Sequence, residues 1–243
     1  MSRRLWIPLI AVAALVVLGG AGAYAYFFSG LRTSPSALSL STPSATTSAT
    51  TSTSATATTG AGTWQVTSGS QVGYRVTEQF VGQSSSHEAV ARTSEVSGQV
   101  TIAQSGSTYQ MTAAKITVQL ANLASVDQVA GYNVTNRDRI VSRSLDVSTY
   151  PAAVFEAQPV TLPAGVESGQ TVTVSVPGKL TIHGVTKDVT ATVQLRVSGS
   201  TAQIAGSIST NMTDFGVSPP SIGFTTVQPA VKVEFQLNLA PAT

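Results

Sequence analysis

The closing segment Val231–Leu239 reads Val-Lys-Val-Glu-Phe-Gln-Leu-Asn-Leu, with every second residue apolar and every residue between polar. Side chains on a strand alternate between its two faces, so this segment is a strand with one dry face and one wet face. A helix would scatter the same five apolar residues around its circumference. The beat recurs along the chain. Val72, Tyr74, Val76 and Phe80 share a parity against Gln71, Arg75, Thr77 and Gln79, and Ile116, Val118 and Leu120 share another. Val172, Val174, Val176, Leu180 and Ile182 follow, then Val189, Val193, Leu195 and Val197. Long antiparallel strands with one apolar face predict a barrel that curls around its own interior. An immunoglobulin-like sandwich would need shorter strands at closer spacing. In Gly178–Val189, GKLTIHGVTKDV, the alternation pauses at His183-Gly184 and then resumes, which predicts two strands joined by a tight turn. The beat fails over Val126–Arg143. A short helix is expected there, near Asn136–Ser144, capping one barrel end, with Tyr150-Pro151 marking its exit.

Two other segments precede the strands. Leu5–Phe28 carries no charge and, at about 1.5 Å per helical residue, is long enough to cross a hydrocarbon core of about 30 Å. Arg3 and Arg4 before it and a single Arg32 after it place the N-terminus inside and the rest outside. A cleaved signal peptide is the rival reading, since Ala21-Gly22-Ala23 resembles a cleavage site; either way the remainder is exported. Ser29–Gly62 holds 19 Ser or Thr among 34 residues and is expected to be a disordered stalk with a reach of about 30 Å. The expected organisation is therefore an anchor over 1–28, a linker over 29–62 and a barrel domain over 63–243.

Charge excludes several function classes. Residues 63–243 hold 10 basic and 11 acidic side chains, a net of −1, so the chain's pI of about 9.0 reflects the N-terminal arginines. A domain this close to neutral has no electrostatic footprint for nucleic acid. The absence of cysteine excludes a disulfide framework, a thiolate metal site, a cysteine nucleophile and a lipidated-cysteine anchor. The two histidines, His87 and His183, have no cluster of metal-ligating residues around them in the sequence, and no nucleophile elbow or phosphate loop is present. His183, Asp188 and a serine could be imagined as a triad, but nothing in the spacing fixes their geometry. No catalytic residue, metal or cofactor is expected. His87 lies in the polar stretch QSSSHEAVARTS, where a loop over Gln83–Ser94 would leave it solvated.

Three motifs in order, NRDRIVSRSLDVSTYPAAVFEA at Asn136–Ala157, LTIHGVTK at Leu180–Lys187 and DFGV at Asp214–Val217, closely resemble the signature of the YceI-like family. The resemblance spans about Thr63 to Ala240. It implies an all-β, lipocalin-like antiparallel barrel of about eight strands with one or two short helices, extracytoplasmic and associated with polyisoprenoids and other long-chain lipids. The family pattern carries a histidine in its second strand, whereas this chain has YRVTEQFVG at Tyr74–Gly82, with Glu78 or Gln79 in its place.

The inward apolar residues by themselves leave two readings open, a filled core or a cavity wide enough for one slender ligand. The resemblance implies the cavity. Small residues such as Ala113, Ala191, Ala202 and Gly206 on the inward set would leave room in it. Its expected lining is Val72, Tyr74, Val76, Phe80, Ile116, Val118, Phe155, Val174, Val176, Val193, Ile204 and Phe235. The expected ligand is an isoprenoid, a quinone or a fatty acyl chain. Arg137, Arg139 and His183 are candidates for contact with its headgroup, because a guanidinium fork can bond two phosphate oxygens; the plain alternative is that Arg137-Asp138-Arg139 is a solvated helix face. The other expected partner is the membrane through residues 5–28, and a dimer is compatible with the sequence. A protein-interaction module with a filled core, and an enzyme acting on an isoprenoid lipid, are the competing functions.

Overall fold

The computed structural model describes residues 16–20, 32–41, 60–81, 86–129, 133–223 and 225–242. In chain order its strands are β1 (Arg32–Thr33), β2 (Gly62–Val66), β3 (Gln71–Phe80), β4 (Ser86–Thr93), β5 (Val96–Ser105), β6 (Thr108–Gln119), β7 (Ala124–Ser125) and β8 (Gln128–Val129). Helix α1 (Thr135–Ser144) separates these from β9 (Ala152–Ala157), β10 (Val160–Thr161), β11 (Val172–Ile182), β12 (Val185–Ser198), β13 (Thr201–Asn211), β14 (Ser221–Ile222) and β15 (Thr225–Pro241).

The strands close into an antiparallel barrel with eight strand positions. β15 pairs with β13 along one edge and with β2 and then β3 along the other. Both β2 and β3 run antiparallel to β15, so they act as one kinked strand, and β4 with β5 forms its kinked neighbour. β6, β9, β11 and β12 complete the ring to β13. The expected hairpin is present: His183 and Gly184 both adopt positive φ (53° and 73°), the pairing of torsions that a two-residue type I′ turn requires. Pro229 falls where the β15–β3 register shifts between Val227 and Val231, a place where a missing backbone donor interrupts no ladder.

Two aromatic rings inside the barrel lie over glycines on the adjacent strand. A Cβ on Gly178 would sit 2.6 Å from the Phe155 ring, and one on Gly206 would sit 2.9 Å from Phe235. At the β2 end Trp64, Val172, Leu195 and Leu239 are buried in the core cluster. At the other end α1 lies across the barrel, as the failed alternation there suggested. Ala113, read as inward, is exposed. A bulge sets Thr101 opposite Ala113 but Ile102 opposite Met111, so the parity of β6 changes and Met111 and Ala114 take the inner face.

Two further expectations are corrected. Of the expected loop over Gln83–Ser94, Ser86–Thr93 is instead β4, paired along its length with β3, and residues 83–85 lie outside the described residues. Within the expected stalk, residues 32–41 are not free but run as a strap against the outer wall, and residues 29–31 and 42–59 lie outside the described residues. Arg32 and Thr33 pair with β8, and the Arg32 guanidinium lies 5.4 Å from the centre of the Phe80 ring. Beyond them Arg75 donates to the Pro35 carbonyl (2.8 Å), Arg92 to the Ser36 carbonyl (2.5 Å) and Arg196 to that of Ser41, while the Leu38 amide donates to Glu234 (3.3 Å). Glu234 is itself buried, held by Arg75 and Arg92. The barrel's own charges grip the strap's backbone, which is why the strap's neutral composition gives no sign of it.

Residues 16–20 are helical, and the rest of the expected anchor Leu5–Phe28 lies outside the described residues. Among the described residues no helix is long and apolar enough to cross a membrane.

Candidate ligand cavity

The inner faces of these strands enclose a cavity of about 280 Å³, near the lower end of the range of about 300–1,000 Å³ found for small-molecule sites. Between the packed β2 end and α1 the interior is therefore hollow. All of the expected lining residues face it except Val174. Val174 pairs with Val193 but sits nearer the plugged end, where it packs against the core cluster. Sequence reasoning missed the helical wall, formed by Ile140, Val141, Ser144 and Leu145, because α1 has no strand parity to read.

The polar part of the lining gathers at the α1 end. Arg137 projects from the first turns of α1 into the barrel and is only 6% exposed. One terminal nitrogen donates to both oxygens of Asp127 (2.7 and 3.0 Å), and the other donates to Glu78 Oε2 (2.9 Å). His87 is not solvated. It is buried on β4 directly opposite Glu78, and its Nε2 lies 2.7 Å from Asp127 Oδ2. Asp127 also accepts from the Val90 amide (3.1 Å), and Asp138 accepts from the Ser125 amide and hydroxyl (3.0 and 2.6 Å), fastening α1 to β7.

Burial tends to raise both carboxyl pKa values, and the neighbours decide the outcome. For Glu78 burial wins over the opposing Arg137 charge and the pKa is raised. For Asp127 the hydrogen bonds from His87 and Arg137 outweigh burial and hold it below the usual range. Burial would lower Arg137, but the Glu78 charge and the Asp127 bonds raise it, so the guanidinium stays charged. Tyr74 also faces this end. Removal from bulk water drives its phenol well above the ordinary value, so it remains a neutral hydroxyl.

The expected headgroup contacts thus separate. Arg137 reaches the cavity wall, but its charge is already matched. Arg139 is exposed and bonds the Asn136 side chain, because it lies two positions on from Arg137 and so points off the inner face of the helix. His183 stays in its hairpin turn, 3.3 Å from the Phe215 carbonyl and edge-on to Tyr150 at 5.0 Å, and does not line the cavity. Asp188 pairs with Lys179 on the surface (2.9 Å). Among the described residues no group of three or more His, Cys, Asp or Glu could hold a metal. Glu78, Asp127 and His87 were not singled out as a cluster in the sequence; the one available signal was a charged residue at an inward parity in β3.

A closed eight-position barrel around an apolar cavity, with a helix and a small polar cluster at one end, defines a lipocalin-like binding protein. The YceI-like domain model matches residues 64–239, and the chain belongs to that family. Its fold is similar to a polyisoprenoid binding domain from Saccharophagus degradans implicated in plant cell wall breakdown, at 14% identity and a TM-score of 0.50, covering 74% of this chain and 98% of that one. Burkholderia cenocepacia BcnA matches at 22% identity and a TM-score of 0.48, over 72% of this chain and 96% of that one. No curated protein matches the chain.

Proposed function

We propose that this protein is an extracytoplasmic, membrane-tethered carrier that sequesters one long-chain lipid, such as a polyisoprenoid or a quinone, inside its barrel. The observation that carries the reading is the apolar cavity of about 280 Å³ bounded by α1 and by the packed β2 end. A filled barrel offers no such space, so the interaction-module reading loses its premise. The Saccharophagus degradans domain of the same fold is described as polyisoprenoid binding, which agrees with a lipid of that class here.

The strap supports tethering. Its Arg32 lies beside Phe80 and β8 at the α1 end. With Leu5–Phe28 in a bilayer, the chain from residue 28 to residue 32 spans at most about 14 Å, so the α1 end would ride close to the membrane surface. A lipid would then have a short path between bilayer and barrel. Mass spectrometry of an organic extract of the purified chain tests the function: one long-chain lipid at about one per barrel is expected. Lipid-free protein that also takes up no isoprenoid alcohol or quinone from vesicles would refute it.

A further inference from the structure

We infer, on the basis of the lipid-carrier reading, that the cavity selects lipids with an uncharged polar head hydrogen-bonded by the Tyr74 hydroxyl, and discriminates against phosphate and diphosphate heads. Arg137 is the only cation among the cavity-lining residues described. Its two terminal nitrogens are engaged by Asp127 and Glu78, both nearly fully buried. One positive charge against two carboxylates leaves the cluster at −1 with His87 neutral, and at most balanced with His87 protonated. Asp138, fastened to Ser125, adds a further negative charge nearby. Two other cations of the same wall, Arg75 and Arg92, point to the outer face and are paired with Glu234, and Arg32, 5.4 Å from the centre of the Phe80 ring, does not itself line the cavity.

An anionic head would have to shed its water and enter an apolar space beside that surplus of negative charge. The arginine that could receive it would first have to give up a carboxylate, leaving that carboxylate buried and unpaired. A neutral head meets no such barrier. Tyr74 lies on the cavity surface, and among the described residues its hydroxyl has no hydrogen-bond partner. It can donate to a carbonyl or hydroxyl oxygen of the ligand. The Arg137 charge behind it favours such an acceptor dipole without requiring a full negative charge. The feature that sets this preference is Glu78, an acid at an inward position of β3.

Binding of a C20 isoprenoid alcohol, its diphosphate and a hydrocarbon of matched length to the purified full chain tests the inference. The alcohol should bind at least about 10-fold more tightly than the diphosphate. Tyr74→Phe should weaken the alcohol by about 3- to 10-fold, the net worth of one hydrogen bond, and leave the hydrocarbon unchanged. Glu78→Gln, which keeps an acceptor for Arg137 and removes the charge, should narrow the preference by raising affinity for the diphosphate. A diphosphate that binds as tightly as the alcohol, or a Tyr74→Phe variant that weakens alcohol and hydrocarbon alike, overturns the inference. If none of the three binds, the carrier reading itself has failed rather than the headgroup preference.

Discussion

Replacing Arg137 with leucine isolates what the buried cluster contributes. The leucine fills most of the space but removes the only side chain among the described residues that bonds Glu78 and one of the two among them that bond Asp127. Asp127 keeps His87 and the Val90 amide, whereas Glu78, 4% exposed, is left alone. Breaking a buried ion pair from one side costs about 3–5 kcal/mol, a large part of the roughly 5–15 kcal/mol that holds a domain together. At about 2–4 °C per kcal/mol for a domain of this size, the melting temperature should fall by about 6–20 °C near neutral pH. The loss should also depend on pH. Glu78 is already raised by burial, and losing the Arg137 charge raises it further. A carboxyl raised above its unfolded value of about 4.3 contributes most below that value, and the contribution disappears as pH rises through the folded pKa. The variant should therefore recover toward wild type between pH 8 and pH 5. Asp127, held low in the wild type, runs the other way: its stabilisation is present above about 3.9 and is lost as pH falls through its folded pKa. Urea unfolding followed by circular dichroism from pH 8 to pH 5 measures the first effect, and its extension below about pH 3.9 measures the second; Arg137→Leu combined with Glu78→Leu should regain at least half of the loss. A loss below about 1 kcal/mol at pH 7.5, or one that does not change with pH, would refute the assignment of Glu78 as the stranded charge.

Three other outcomes are expected. Val193→Glu, on the cavity wall, should fold and lose bound lipid, whereas Val172→Glu, buried in the core cluster outside the cavity, should be strongly destabilised, since an unpaired buried carboxylate costs several kcal/mol; thermal melts and lipid extraction separate the two. Glu234→Ala removes the group that Arg75, Arg92 and the Leu38 amide share, so Leu38 should exchange its amide hydrogen at least about 10-fold faster while the barrel strands stay protected. A chelator should leave the melting temperature unchanged, because no metal-ligating group is found among the described residues.

The sequence by itself determined the barrel. Period-two alternation in β3, β11, β12 and β15 fixes which face of each strand is dry, and the His183-Gly184 pause fixes one hairpin, because both signals are local to a few residues. It also put all the named lining residues but Val174 on the cavity wall, a minority of the full lining, since parity decides which side chains of a strand point inward. It misplaced Ala113, where one extra residue in β6 reversed the parity. Val174 shows a different limit: its parity is right, but parity says nothing about how far along the barrel axis the cavity extends. Tertiary structure alone decided the rest. His87, Asp127, Glu78 and Arg137 come from separate elements, and each is unremarkable until register and the fold of α1 bring them within hydrogen-bonding distance. The strap is the extreme case, because its contacts run from its backbone to arginines and a glutamate far along the chain. Backbone carbonyls are the same in every residue, so no composition could announce which surface would hold them.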